Sequence, residues 1–315
     1  MKVVGLAGGV GGAKLAAGLA GVLAPDDLTV IVNTGDDFEH LGLTICPDLD
    51  TVVYTLAGRA NPKTGWGRGG ESWNFLGALE ELGGPTWFRL GDKDLATHIE
   101  RTQRLQRGER LSAITAAFCR AWGVNVRVLP MSDDRVRTVV HTTEGPLSFQ
   151  EYFVARHWEP IVRGFTFEGA ASARPGPGVL ESLAEADGVL FCPSNPWVSL
   201  DPILAVPGIR PTVAAKTAVA ISPIVGGEAI RGPAAKMFRE LGIQPSPLSV
   251  AEHFAGLLSG IVIDRVDRAM ASELAQRGLA VRAEDTVMRS AADRRRVASH
   301  ALALLGEVRS HVGPA

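Results

Sequence analysis

Cysteine is scarce in this 315-residue chain: Cys46, Cys119 and Cys192 are three residues, far apart and odd in number. That excludes a disulfide framework and any CxxC metal spacing, and a reducing cytoplasm is the simplest setting. Net charge is scarce too. A formal charge of −2 and a pI near 6.4 give no long-range attraction to nucleic acid or an anionic membrane, so a polyanionic ligand has to be held by a local site. No apolar run approaches the ~20 residues of a membrane-spanning helix. The start, MKVVGLAGGVGGAKLAAGLAGVLAP, reads as strand, Gly-rich turn and helix rather than a signal peptide, because five glycines between Gly5 and Gly12 would break a signal helix. HExxH, GxSxG and a neighbouring Cys/His pair are also missing, so covalent catalysis by a side chain is not indicated.

What is present describes a core. Hydrophobic residues make up 46 % and charged residues 21 %, enough for one large α/β unit across 1–315. Short apolar runs recur between helix-like stretches: VVGLA, LTVIV (28–32), VRVL (126–129), GVLFC (188–192), TAVAIS (217–222) and GIVID (260–264). Runs without polar alternation, linked through helices, predict a mostly parallel sheet buried on both faces. About 130–175, apolar and polar residues alternate around Gly-Pro turns, which predicts a small antiparallel β insertion. A Gly-, Pro- and Trp-rich start makes about 57–125 a lid-like helical and loop region, with a short strand expected before LGDKD. The end, SAADRRRVASHALALLGEV, predicts a closing surface helix with Arg294 to Arg296 on a solvated face.

Gly8, Gly9, Gly11 and Gly12, ahead of a helix expected near Ala13, make a phosphate cradle or a tight packing turn. Lys14 is followed by Leu15, so Walker A is incomplete, and GxGxxG fits only when forced. Five acidic residues follow the second strand: Asp36, Asp37, Glu39, Asp48 and Asp50. Carboxylates beside phosphate make sense if they hold a divalent cation or take a proton from an attacking hydroxyl. Asp37 and Asp50 are therefore metal ligands, or one of them is the base. Asp36 and Glu39 are expected in solvent, and Asp48 is expected to cap the helix TVVYTL. In LGDKDLATH, Asp92 or Asp94 sits near a helix start, Lys93 is either a phosphate or carbonyl partner or a solvated lysine, and His98 is expected to be packed or on the surface. Ser194 and Asn195 of PSNP suit a phosphate, a guanine edge or a plain Asx turn. Ser222, Gly226, Gly227, Gly232 and Lys236 form a second nucleotide-binding candidate.

GGVGGAK, VNTGDD, CPDLDT, LGDKDLATH, LPMSDD, FQEYFV, PSNP, ISPIVGG and GPAAK occur in order over essentially the whole chain. In this the chain resembles the 2-phospho-L-lactate transferase family of coenzyme F-420 biosynthesis. The resemblance implies a Rossmann-like three-layer fold, a Mg²⁺ requirement, a homodimer in the cytoplasm, and no membrane or nucleic-acid partner. It also implies a reaction. The terminal ribityl hydroxyl of the deazaflavin FO attacks the distal phosphorus of a guanylylated phospholactyl, phosphoenolpyruvyl or phosphoglyceryl donor, and GMP leaves. On the same grounds Asp50 and Lys93 contact FO, and Asp37 lies beside the metal. Gly8, Gly9, Gly11, Gly12, Lys14, Ser194, Asn195, Ser222 and Gly226 surround the nucleotide. A non-catalytic nucleotide-sugar-binding regulator of the same fold is the alternative.

Overall fold

The apolar runs become strands of one seven-stranded sheet in a computed structural model that describes residues 1–312. In chain order they are β1 (Val3–Ala7), β2 (Leu28–Val32), β3 (Arg127–Pro130), β4 (Gly188–Phe191), β5 (Ala218–Ile221), β6 (Gly260–Asp264) and β7 (Ala280–Glu284). Neighbouring strands are all parallel, in the order β7-β6-β5-β4-β1-β2-β3. β1 and β4 to β6 are buried at every position, because helices cover both faces. The two faces alternate along each strand: Val4, Leu6 and Ile31 enter one core with Phe191 and Phe254, while Val3, Ala7 and Val30 enter the other with Leu190.

The chain runs outward through β1, β2 and β3, then returns to place β4 beside the other edge of β1. At such a reversal the loops after the two central strands diverge and leave a crevice at their carboxyl ends. Gly8 and Ser194 stand at that crevice.

The expected β insertion is a three-stranded antiparallel sheet of Arg137–Thr142, Gly145–Ser148 and Val162–Glu168, with Arg137–Thr142 in the middle. Val140, Phe149, Tyr152 and Val162 join it to the main core. The first five helices are α1 (Gly9–Ala20), α2 (Pro47–Leu56), α3 (Asn74–Glu81), α4 (Asp92–Gln106) and α5 (Leu111–Ala121), so 57–125 holds α3 to α5 and the loops between them. The segment directly before Gly91 is not a strand, contrary to expectation; Leu90 is buried from an irregular segment instead. The acidic stretch contains an antiparallel hairpin, Phe38–His40 with Leu43–Ile45, whose turn puts Leu41 and Gly42 at φ 53° and 72°.

The last helix, Ala291–Val312, corrects a second expectation. Arg294 and Arg296 are half-buried, and only Arg295 is exposed. The helix closes down on α1 so tightly that a Cβ on Gly18 would collide with the Arg294 carbonyl. β7 escapes the sequence reading altogether, because AVRAE carries two charges and lies half-buried at the sheet edge. Among the described residues no helix is long and apolar enough to cross a membrane.

Candidate active site

Residues of the Gly-rich turn begin α1 directly: Gly8 is the residue before the helix and Gly9 its first position, at φ +60°. Of the four amides that a helix start leaves unpaired, that of Gly8 reaches Ser194 Oγ at 3.3 Å and that of Gly9 donates to Asp48 Oδ1 at 2.7 Å. Val10 and Gly11 contribute the remaining two, and both residues are half-exposed. The other glycines are there for close approach. A Cβ on Gly8 would lie 2.6 Å from Asp48 Oδ2, one on Gly12 would lie 2.8 Å from Ser194 Oγ, and one on Gly11 would sit on the Pro193 carbonyl.

Asp48 does not cap its own helix, contrary to expectation. α2 starts after Cys46 without a side-chain cap, and Asp48 instead receives Asn33 Nδ2 at 2.9 Å as well as the Gly9 amide. It thereby ties the turn after β1 to the end of β2. Asn33 completes the tie by accepting the Gly35 amide at 2.7 Å and donating to the Val198 carbonyl at 3.1 Å.

The predicted nucleotide side chains are largely engaged by the protein itself. Ser194 Oγ donates to the Gly8 carbonyl at 2.8 Å. Asn195 Oδ1 caps the turn Pro196–Leu200 by accepting from Trp197 and Val198. Ser222 Oγ closes a turn onto Ile224, and Gly226 and Gly227 form a hairpin tip whose Gly226 amide meets Asp267 at 3.0 Å. Gly232 lies beyond that hairpin at φ +74°. Lys236 points away, to Glu240 and the Pro160 carbonyl. Lys14 Nζ donates to the Met288 carbonyl at 2.9 Å, and its pKa is lowered by burial and by the charges of Arg231 and Arg294. Arg231 was not foreseen. It reaches from beyond the hairpin to the Thr64 and Lys63 carbonyls, beside Gly65, which rests on Val10.

Four of the five acidic residues converge. Asp36 is buried rather than solvated, and burial together with Asp48 and Asp37 pushes its carboxyl well above the usual range. Burial does the same to Asp37, against the opposing Cys46 thiol and Arg101. Asp48 rises to about 6 by burial, with the Asn33 and Gly9 bonds working the other way. Glu39 alone is exposed, as expected. Asp50, in the first turn of α2, is gripped on both oxygens by Arg101, with Nη1 at 3.0 Å from Oδ2. The same Nη1 lies 3.2 Å from His98 Nδ1 and 3.3 Å from the Thr44 carbonyl. His98 is packed at 2 % exposure, with Nε2 3.4 Å from Asp94 Oδ1, and Tyr54 donates its hydroxyl to that oxygen at 2.7 Å. Asp92 organises the preceding turn by accepting from Ser72, Asn74 and Phe75. Lys93 is exposed, with Nζ on the Gly70 carbonyl at 2.6 Å. It lies about 12 Å along α4 from Arg101.

A divalent cation fits these carboxylates in part. Asp36 and Asp37 each have a buried Oδ1 without a hydrogen-bond partner, the kind of hard oxygen that Mg²⁺ takes. Asp50 can add only the lone pairs that Arg101 leaves free. Among the described residues no group of three or more His, Cys, Asp or Glu is placed to hold a metal ion. Beside Asp37 opens a cavity of about 220 Å³ lined by Thr34, Phe38, Thr44, Ser132 and Asp133. Phe38 also joins a cluster with His40, Trp87 and Phe88. A larger hollow of about 330 Å³, between α5 and the edge strand β3, has none of these carboxylates in its wall.

The family described as 2-phospho-L-lactate transferase CofD matches residues 3–303. A phosphoenolpyruvate transferase of Kitasatospora aureofaciens is 45 % identical over 98 % of this chain and 99 % of its own length. One from Thermobifida fusca is 48 % identical over 85 % and 87 %. A 2-phospho-L-lactate transferase of Methanosarcina acetivorans is 36 % identical over 96 % and 99 %. A crystal structure of a upf0052 family member from Bacillus halodurans is similar in fold, with a TM-score of 0.63 at 16 % identity over 96 % of this chain and 98 % of that one.

Proposed function

The chain belongs to the 2-phospho-L-lactate transferase family, and from that premise we propose that it transfers a phosphoenolpyruvyl group from a guanylylated donor to the terminal ribityl hydroxyl of FO, releasing GMP. The names of the relatives at 45 % and 48 % identity favour the enolpyruvyl over the lactyl donor. The observation that supports the mechanism is that Asp48 joins a helix start with two unengaged amides to a group of buried carboxylates, Asp36 and Asp37, that each have an unpartnered oxygen.

In this reading the donor's phosphates lie against the Val10 and Gly11 amides, with Lys14 and Arg231 near the same helix start. Asp37, with Asp36 beside it, holds Mg²⁺, which when bound offsets charge on the phosphates. Asp50 accepts a hydrogen bond from the FO hydroxyl, turns its oxygen toward phosphorus and takes its proton as the new P–O bond forms and the bond to GMP breaks, and Lys93 contacts FO further along α4. Phosphoryl transfer through a loose transition state asks for alignment and charge neutralisation rather than a strong base or a side-chain nucleophile. The enzyme acts as a cytoplasmic homodimer without nucleic-acid or membrane partners.

Purified protein with FO, Mg²⁺ and a mixture of enolpyruvyl, lactyl and glyceryl donors should release GMP and give the enolpyruvyl product by mass spectrometry. No GMP from any donor would sink the proposal, and a dominant lactyl product would correct the donor.

A further inference from the structure

We propose that Arg101 is a positioning residue for the transfer, acting through Asp50. This rests on the reading above, in which Asp50 meets the acceptor hydroxyl. Asp50 is buried near the start of α2, where an unpaired carboxylate would rotate about its Cβ–Cγ bond or pick up a proton. Arg101 takes one lone pair on each oxygen, with Nη1 on Oδ2 and Nη2 on Oδ1. A planar fork fixes both the charge and the plane of a carboxylate, which a lysine cannot do. The other lone pair of each oxygen is left in a set direction, available to a hydroxyl.

Arg101 is itself braced. Its Nη1 also meets the Thr44 carbonyl of the hairpin and His98 Nδ1, while His98 Nε2 lies 3.4 Å from Asp94 Oδ1 without a hydrogen bond, and Asp94 accepts the Tyr54 hydroxyl. Tyr54 stands on α2, one turn beyond Asp50, so the chain of contacts leaves α2, crosses α4 and returns to α2. Arg101, His98 and Tyr54 are each no more than 3 % exposed. A buried ion pair is weak grounds for stability, since desolvation offsets its attraction. A closed ring of contacts that sets the orientation of one carboxylate has a role in aiming.

The experiment is a double-mutant cycle on transfer, with Arg101→Lys, Asp50→Asn and the pair, alongside melting temperatures and donor KM. Arg101→Lys keeps the charge and removes the fork. It should lower kcat at least about tenfold while leaving the donor KM near wild type. In the Asp50→Asn background the same change should cost less than about twofold, because the carboxylate it aims is already gone. Equal losses in both backgrounds, or a wild-type kcat in folded Arg101→Lys, would overturn the inference. If Arg101→Lys does not fold, His98→Asn, which loosens the brace, takes its place in the cycle: a loss that vanishes beside Asp50→Asn supports the inference, and an undiminished loss or none overturns it. Wild-type protein inactive with every donor would instead remove the reading on which the inference stands.

Discussion

Asp48 shows how one side chain can replace several motif readings. Sequence position made it a helix cap; the structure makes it the joint between the Gly-rich turn, the end of β2 and α2. Its carboxyl stands at about 6 in the fold against about 3.9 in an unfolded chain. A raised acid binds its proton more tightly when folded, so its contribution is fullest below about pH 4 and is lost as pH rises through about 6. Compared with Asp48→Asn in metal-free buffer, the wild type should therefore lose up to about 3 kcal/mol of relative stability between pH 4 and 7, read by urea denaturation. A flat difference would refute the assignment. That Asp37 and Asp50 lie close to one another was legible because two carboxylate pairs follow a strand end. Arg101 was not, since its partner lies 51 positions away. The only local signal is the spacing of Asp94, His98 and Arg101, which puts them on one helix face.

At the scale of elements, five of the six apolar runs were readable as strands because burial on both faces leaves little polar alternation to confuse them, and VRVL, at the other sheet edge with Arg127 exposed, was readable from its apolar residues alone. β7 was hidden, since an edge strand tolerates Arg282 and Glu284. The last helix was recognised by its periodicity, but its partner was not: nothing in a string of residues says that Gly18 admits the backbone of Arg294. Gly18→Ala would ordinarily favour a helix interior by about 1 kcal/mol. Here the new methyl meets backbone, so the substitution should instead destabilise by about 1–3 kcal/mol, visible as a lower urea midpoint. A stabilised Gly18→Ala would mean the two helices are free to separate.

For the whole molecule, strand order decides where chemistry can occur. The sheet reverses between β1 and β4, and the loops after those strands carry Gly8 and Ser194. Alternating strands and helices pointed to that architecture, whereas the crossing itself and the corner holding the carboxylates required three-dimensional contacts between residues 9, 33, 48 and 198. Occupation of the crevice should stabilise the entire fold by linkage. Guanosine diphosphate at about a hundred times its Kd should add about 2.7 kcal/mol and raise the melting temperature by several degrees, whereas no shift at any concentration would count against a nucleotide at this place.

The bond between Gly8 and Ser194 spans 186 positions of the chain. Because synthesis proceeds from the N-terminus, the Gly-rich turn is made before its partner and has to wait until a further 186 residues have been added. The crevice is thus closed only after β4 has been made, and a nascent chain cut short before β4 would hold its glycines and aspartates without the Ser194 that meets Gly8.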